Sequence, residues 1–336
     1  MNVLSDTGNL AALVQGTYVT DLSIVIVSWN AKKYLEECLT SLHGLDEGPS
    51  LEILVVDNAS SDGSPEMVRN QFPDVKLIET GANLGFSRAN NLAIELATGK
   101  YVCLINSDVN VPSDCLAKMY RYMEKEPTIG LLGPKMIGVD GRAHRSGMRF
   151  PSIWNAFVRA LALDSIFKGT GIFGGSLMAD FQFDRTRDVD VLNGWFWMVR
   201  REALNQVGLL DERFFIYGED IDWCKRFHLA GWRVVFYSEA EALHYGGASS
   251  ANAPLRFSLE KQRANLQYWE KYRGRTAVFC CLMGVWLHQV IRAAGWWLVY
   301  LTRRSLRSRA DFEIAQSAAC LRWVLNSRNV KGRGQR

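Results

Sequence analysis

The chain has 336 residues, 48% hydrophobic and 22% charged, which is too apolar for a disordered segment and long enough for one large domain or a domain with an appendage. Its formal net charge of +4 is unevenly placed: from Arg303 to the end there are nine Arg or Lys against two acids, so the basicity belongs to the tail. Seven scattered cysteines without a CxxC spacing argue against a disulfide framework and structural zinc, and with an N-terminus that lacks a basic, apolar leader the expectation is that the body of the protein stays in the cytosol.

In chain order, LSIVIVS (22–28) is a β-branched run fit for a buried strand, followed by Tyr34, Leu35, Cys38, Leu39 and Leu42 at helical spacing behind an Asn30 cap. LEILVVD (51–57) predicts a second strand, 64–70 a short helix, VKLIE (75–79) a third strand, SRANNLAIELA (87–97) a helix and KYVCLIN (100–106) a fourth strand. Strands alternating with helices predict a mostly parallel sheet covered on both faces, with ligands at the carboxyl ends of its strands. Asp57 stands at such an end, among Asn58, Ser60, Ser61, Asp62 and Gly63.

A dinucleotide-binding fold would have the same element order, but it needs GxGxxG in the first strand-to-helix turn, which here reads SWNAKK. The literal match at Gly169, Gly171 and Gly174 lies deep in a glycine-rich loop without a clear strand-to-helix context.

Four later stretches carry chemistry. LINSDVN (104–110) is an apolar strand that places Asn106 and Asp108 on one side of an extended segment. DVDVLNGWFWMVRRE (188–202) predicts one strand running through Asn193 and Gly194. In GLLDERFFIYGEDIDWCKRFHLAGW (208–232), Glu219, Asp220 and Asp222 open a helix, and ALHYGGAS (242–249) ends a strand at His244.

In order and spacing, these stretches resemble the inverting family-two glycosyltransferases with a GT-A fold. The similarity is greatest to the rhamnosyltransferase-like branch that builds bacterial cell-surface glycans, over roughly residues 20–270. The resemblance implies an α/β GT-A catalytic domain at 20–272 that holds a nucleoside diphosphate sugar, with dTDP-rhamnose favoured and a UDP-sugar as the alternative. Asp57 is implied to read the base and Arg88 to contact base or phosphate. Ser28, Asn30, Asn58, Asn83, Asn106, Ser107, Asn193 and Gly194 are implied to complete the donor site. Asp62 either assists or stabilises its turn, and Asn83 and Gly85 are equally readable as turn residues. NSD stands where the family has DxD, so Asp108 with His244 is implied to hold Mg²⁺ or Mn²⁺ at the diphosphate, although Asn106 replaces the first acid. His244 is also readable as a satisfied histidine at a strand end. Asp220 is implied to be the catalytic base, with Glu219 orienting acceptor or sugar; the alternative is that the three acids complement the helix dipole, which suffices for a solvent-facing Asp222.

Between 138 and 188 the Gly, Arg and aromatic residues predict loops around the site's mouth, with no role assigned to Arg145 or Arg149. AVFCCLMGVWLHQVIRAAGWWLVYL (277–301), in the extension 273–336, has only His288, Gln289 and Arg292 as strongly polar residues, sharing a narrow arc. A single span would carry the basic tail across the membrane from the catalytic domain. The expectation is therefore a peripheral helix lying in the cytoplasmic membrane interface, its tail drawn to anionic lipid; a helix packed on the protein or on a second subunit is the alternative. The expected acceptor is lipid-linked or a saccharide, the competing class is a noncatalytic sugar-binding assembly partner, and no nucleic-acid module is recognisable. The oligomeric state is left open.

Overall fold

The computed structural model describes residues 18, 20–45, 48–161, 163, 167, 173, 178, 181–247 and 253–326. The chain divides into two compact units: residues 1–148, 183–212 and 219–252 form the first, and 149–182, 213–218 and 253–336 the second. The expected boundary at 272/273 falls within the helical part of the second unit.

The first unit opens with β1 (Leu22–Ser28), α1 (Lys32–His43), β2 (Leu51–Asp57), α2 (Ser64–Gln71), β3 (Lys76–Glu79), α3 (Phe86–Leu96) and β4 (Tyr101–Asn106), as the alternating pattern predicts. Then come β5 (Val109–Asn110), α4 (Cys115–Lys125), β6 (Ile129–Ile137), β7 (Ala143–His144) and β8 (Gly147–Met148). After 183 the unit continues with β9 (Arg187–Asp188), β10 (Val191–Leu192), β11 (Phe196–Arg200), α6 (Arg201–Val207), α7 (Glu219–Leu229) and β12 (Arg233–His244). The main sheet has the order β3-β2-β1-β4-β11-β6-β12-β5, with β7 on β6 and β9 on β12. Its half β3-β2-β1-β4 is entirely parallel, and β11 turns it antiparallel.

Both faces are covered, which explains why β1 and β2 are apolar runs without polar alternation. Leu22, Ile24 and Ile26 share one face with Ile53 and Val55 of β2 and with Leu35, Met67 and Met119 of α1, α2 and α4. Val25, Leu54, Val56, Val102 and Leu104, of the other parity, are also buried, and α3 lies against β1 and β2.

Three local expectations are corrected. The stretch 188–202 is not one strand: β10 pairs with β8 in a separate two-stranded sheet, and β11 joins the main sheet. The chain turns between them because the Asn193 N–H is taken by the Ser146 carbonyl and the Trp195 N–H by that of Asn193. Asn106 and Asp108 do not share one extended strand, since β4 ends at Asn106 and the chain turns at Ser107 and Asp108. Asn30 does not cap α1; Ala31 holds that position, while Asn30 takes a positive φ of 49° and turns its side chain to the next loop.

The second unit contains α5 (Ile153–Ala160), within a stretch read as loops, then α8 (Pro254–Thr302), a 3₁₀ turn (Arg304–Leu306) and α9 (Arg307–Leu325). The helical run α8 is broken at Gly274, whose φ of 75° suits a residue without Cβ. Leu266, Trp269, Cys281 and Trp323 form its core, and α9 packs back along α8. Residues 327–336 of the basic tail, and Gly169, Gly171 and Gly174, lie outside the described residues.

Candidate active site

The parallel register sets Ser28, the last residue of β1, opposite Asp57, the last of β2. Both are buried, and Ser28 Oγ and Asp57 Oδ1 have no hydrogen-bond partner among the described residues. The other carboxylate oxygen, Oδ2, accepts from the Ser60 N–H at 2.9 Å. Asn106 ends β4, on the far side of β1. At about 4.8 Å per strand, the end of β2 lies about 10 Å from the end of β4.

The loops around this edge hold one another. Asp62 accepts from the N–H groups of Lys32 (2.8 Å) and Ser64 (3.1 Å). Burial pushes its pKa up, but the hydrogen bonds from Ser64 and Lys32 win and hold it below the usual carboxylate value, so its place is in the turn. Asn30 Oδ1 accepts from the Ser61 N–H at 2.7 Å. Asn58 Oδ1 accepts from the Leu84 N–H (2.8 Å), while its Nδ2 donates to Asn83 Oδ1 and the Gly85 carbonyl. Asn30, Asn58 and Asn83 thus direct polar atoms to loop structure. Arg88, in the first turn of α3, is exposed, with Nε 3.9 Å from Glu212 Oε2.

After β4, pairing of β5 with the end of β12 sets Val109 against His244. Asp108 consequently meets the histidine: its buried Oδ1 lies 3.1 Å from His244 Nε2, and its carbonyl accepts from the Tyr245 N–H. The imidazole stacks on Trp195 at 5.5 Å, and the Trp195 carbonyl accepts from the Asn106 N–H. Trp195 was not singled out from sequence; the only signal was its place directly after Asn193-Gly194.

Asn193 Nδ2 donates to the Arg145 carbonyl, and its buried Oδ1 lacks a partner among the described residues. A Cβ on Gly194 would stand 3.2 Å from the Trp197 ring and 3.7 Å from the Cβ of Asp220, so this turn abuts the start of α7. There Glu219 is buried with Oε2 unpartnered among the described residues, whereas Asp220 is partly exposed and accepts from the Ile221 N–H at 2.8 Å. Burial first, and then the neighbouring charges of Asp220 and Asp222, raise the Glu219 pKa well above the ordinary carboxyl value. Asp222 does not face solvent as expected; it is fully buried and accepts from Arg226 Nε at 2.9 Å. The guanidinium also donates to the carbonyls of Val207 and Leu209, fixing α7 to the end of α6.

Among the described residues no three His, Cys, Asp or Glu side chains form a cluster that would hold a metal. Asp108 and His244 supply one carboxylate and one imidazole, a set that fits a divalent ion completed by substrate oxygens and suits Mn²⁺ better than Mg²⁺.

Comparison with known proteins gives the following matches. The family model described as Glycosyl transferase family 2 matches residues 23–208. An N-acetylglucosaminyl-diphospho-decaprenol L-rhamnosyltransferase of Mycobacterium tuberculosis is 32% identical over 244 residues, covering 69% of this chain and 78% of the relative. The low-salt glycan biosynthesis hexosyltransferase Agl10 of Haloferax volcanii is 24% identical over 217 residues, 63% of each chain. Among solved structures, the mannosyltransferase PcManGT from Pyrobaculum calidifontis, in complex with GDP-Man and Mn²⁺, superposes with a TM-score of 0.52 at 17% identity, covering 93% of this chain and 88% of that one.

Proposed function

This chain belongs to glycosyl transferase family 2, and from that premise we propose that it transfers rhamnose from dTDP-rhamnose, with inversion, to a lipid-linked saccharide at the cytoplasmic face of a membrane. The observation that carries the donor reading is the pair of unpartnered buried oxygens, Ser28 Oγ and Asp57 Oδ1, two strands from the Asn106–Asp108 turn. Asp57 Oδ1 accepts from a pyrimidine N3–H, and the distance of about 10 Å leads from base to diphosphate. Arg88, exposed at the start of α3 and in a long, solvent-exposed ion pair with Glu212, would turn from that pair to meet base or phosphate.

Asp108 and His244 would hold Mn²⁺ or Mg²⁺, with Asn106 and Ser107 completing the turn. A divalent ion, when bound, stabilises charge on the leaving diphosphate. Asp220 takes the proton of the acceptor hydroxyl as the acceptor oxygen bonds to the anomeric carbon and the carbon–oxygen bond to the diphosphate breaks. Attack opposite the leaving group inverts the configuration. Glu219, whose carboxyl burial and the neighbouring acids push well above its ordinary pKa, orients acceptor or sugar, and Asn193 and Gly194 line the approach beside Asp220.

The rhamnose and lipid-linked assignments draw on the name of the mycobacterial relative. A UDP-sugar would satisfy Asp57 equally well. Purified protein with Mn²⁺ is incubated with dTDP-rhamnose, UDP-sugars and GDP-mannose, and slow donor hydrolysis is followed. Release of dTDP is expected, and release of UDP alone would replace the donor. Binding of a nucleotide sugar with no hydrolysis of any of them would favour a noncatalytic sugar-binding assembly partner.

A further inference from the structure

In the second unit, the segment of α8 beyond Gly274 is built inside out. Its exposed side carries Phe279, Met283, Trp286, Trp297, Leu298 and Leu301, which recur at the helical period as one stripe along about 33 Å of helix. Phe279 is 64% and Leu298 63% exposed. The polar arc lies on the opposite side, under α9: Arg292 pairs with Glu313 and donates to Gln316 Oε1 at 2.8 Å, and Gln289, one turn earlier, is buried. A helix whose polar side faces its own partner and whose apolar side is open is arranged for an apolar surrounding.

Helix α5, packed on α8, exposes apolar side chains as well. Ala156 of that helix packs against the same core as Ala277 and Val278, while Ile153, Trp154 and Phe157 are exposed. At the far end of the stripe stand exposed Arg303 and Arg304, and Arg307 lies over the Tyr300 ring at 5.3 Å from its centroid. The outer side of α9 is mixed, with Ser308, Asp311, Ala315 and Arg322 exposed beside Phe312, and Leu325 exposed at its end, so it lacks the continuous apolar stripe of α8.

We propose that the α8–α9 hairpin lies flat in an anionic membrane, the stripe of α8 and the rings of α5 buried among lipid, with α9 on the water side. This specifies the surface through which the membrane-bound action proposed above would occur, and it rests on that reading for the choice of a bilayer as occupant. Charge complementarity favours that occupant: aromatic rings and exposed arginines at an apolar edge match the boundary between acyl chains and anionic headgroups, and the tail adds further basic residues. Among the described residues α8 is the one helix long and apolar enough to cross a membrane by length and composition. A crossing hairpin would bring the exposed Asp311 and Arg322 of α9 into hydrocarbon, which is costly for charged side chains.

Cys280 lies beside the stripe and is exposed, whereas the other six cysteines are buried, so it takes a polarity-sensitive fluorophore selectively. The intact chain labelled there is mixed with vesicles of equal phosphatidylcholine and phosphatidylglycerol. Emission should shift to the blue and be quenched by nitroxides on acyl chains but not by aqueous iodide; a probe at Ala315→Cys in a Cys280→Ser background should remain open to iodide. Protection of both probes would mean a span, and iodide quenching at Cys280 would mean that the stripe does not meet lipid. A blue shift without vesicles that grows with protein concentration would assign the stripe to a second copy. Each of these three results overturns the proposal. The double variant Met283→Glu, Leu298→Glu should lower vesicle flotation at least tenfold and leave nucleotide diphosphate affinity in solution within twofold; unchanged flotation also overturns it. Because nucleotide affinity is read without vesicles, failure of the hairpin and failure of the transferase reading are separable.

Discussion

Ser28 and Asp57 end neighbouring parallel strands in register, and each keeps a buried oxygen without a protein partner. Leaving a buried polar atom unpaired costs about 1–3 kcal/mol, so two of them side by side at the carboxyl ends of parallel strands, where such sheets commonly take ligands, are suited to an incoming donor and acceptor. A pyrimidine presents such groups on one edge of its ring.

The first prediction tests that match through Asp57→Asn. The carboxylate can accept from Ser60 N–H with Oδ2 and from a base with Oδ1, whereas an amide has only one acceptor oxygen and must give up one of these bonds. Calorimetric titration should show dTDP affinity reduced roughly 10- to 100-fold, the equivalent of one hydrogen bond to a charged group. ADP, bound weakly by the parent, should be unaffected. An equal loss for both nucleotides would point to a damaged loop and not to a base reader.

Asp220→Asn should lower turnover by about 100- to 10,000-fold, because the amide keeps the shape but cannot remove the acceptor proton. Affinity for dTDP should stay within about twofold. Normal turnover would move the base elsewhere.

Chelation should suppress transfer and added metal should restore it, with Mn²⁺ more effective than Mg²⁺ because one of the two residues that would hold the ion, Asp108 and His244, is an imidazole. Asp108→Ala should respond poorly to either ion, and His244→Ala should lose the preference for Mn²⁺. Full activity in chelator would hand the diphosphate charge to protein cations and hydrogen-bond donors.

Glu219 has a pH signature of its own. Above pH 4.5, its ordinary value, the unfolded chain releases a proton that the folded protein keeps, so this group makes stability fall as pH rises toward the folded-state pKa. Glu219→Gln cannot titrate and should remove that slope. Thermal melts from pH 4 to 8 should show the variant gaining Tm over the parent only above about pH 4.5. A constant difference across the range would mean that Glu219 does not hold a proton in the folded state.

Much of the catalytic unit was readable as sequence because its signals are local. A strand covered on both faces must be apolar throughout, and a helix covering it must repeat apolar residues at its own period, so 22–28, 51–57 and 87–97 announced themselves. Asp57 could be placed at a strand end for the same reason, and Glu219 at a helix start. Tertiary pairing decided the rest. Nothing in Asn193-Gly194 alone says that its two flanking strands belong to different sheets; that follows from β8 and β4, distant in sequence, competing for adjoining hydrogen-bond edges. His244 meets Asp108 only because β12 returns beside β5, and Asp222, one of three similar acids, is buried because Arg226 reaches it from the next turn. In the C-terminal helix the sequence showed a polar arc and an apolar remainder but not which one faces outward. That was settled by α9, which supplies Glu313 and Gln316 to Arg292: a charge goes where its partner is, and the apolar stripe is left on the open side.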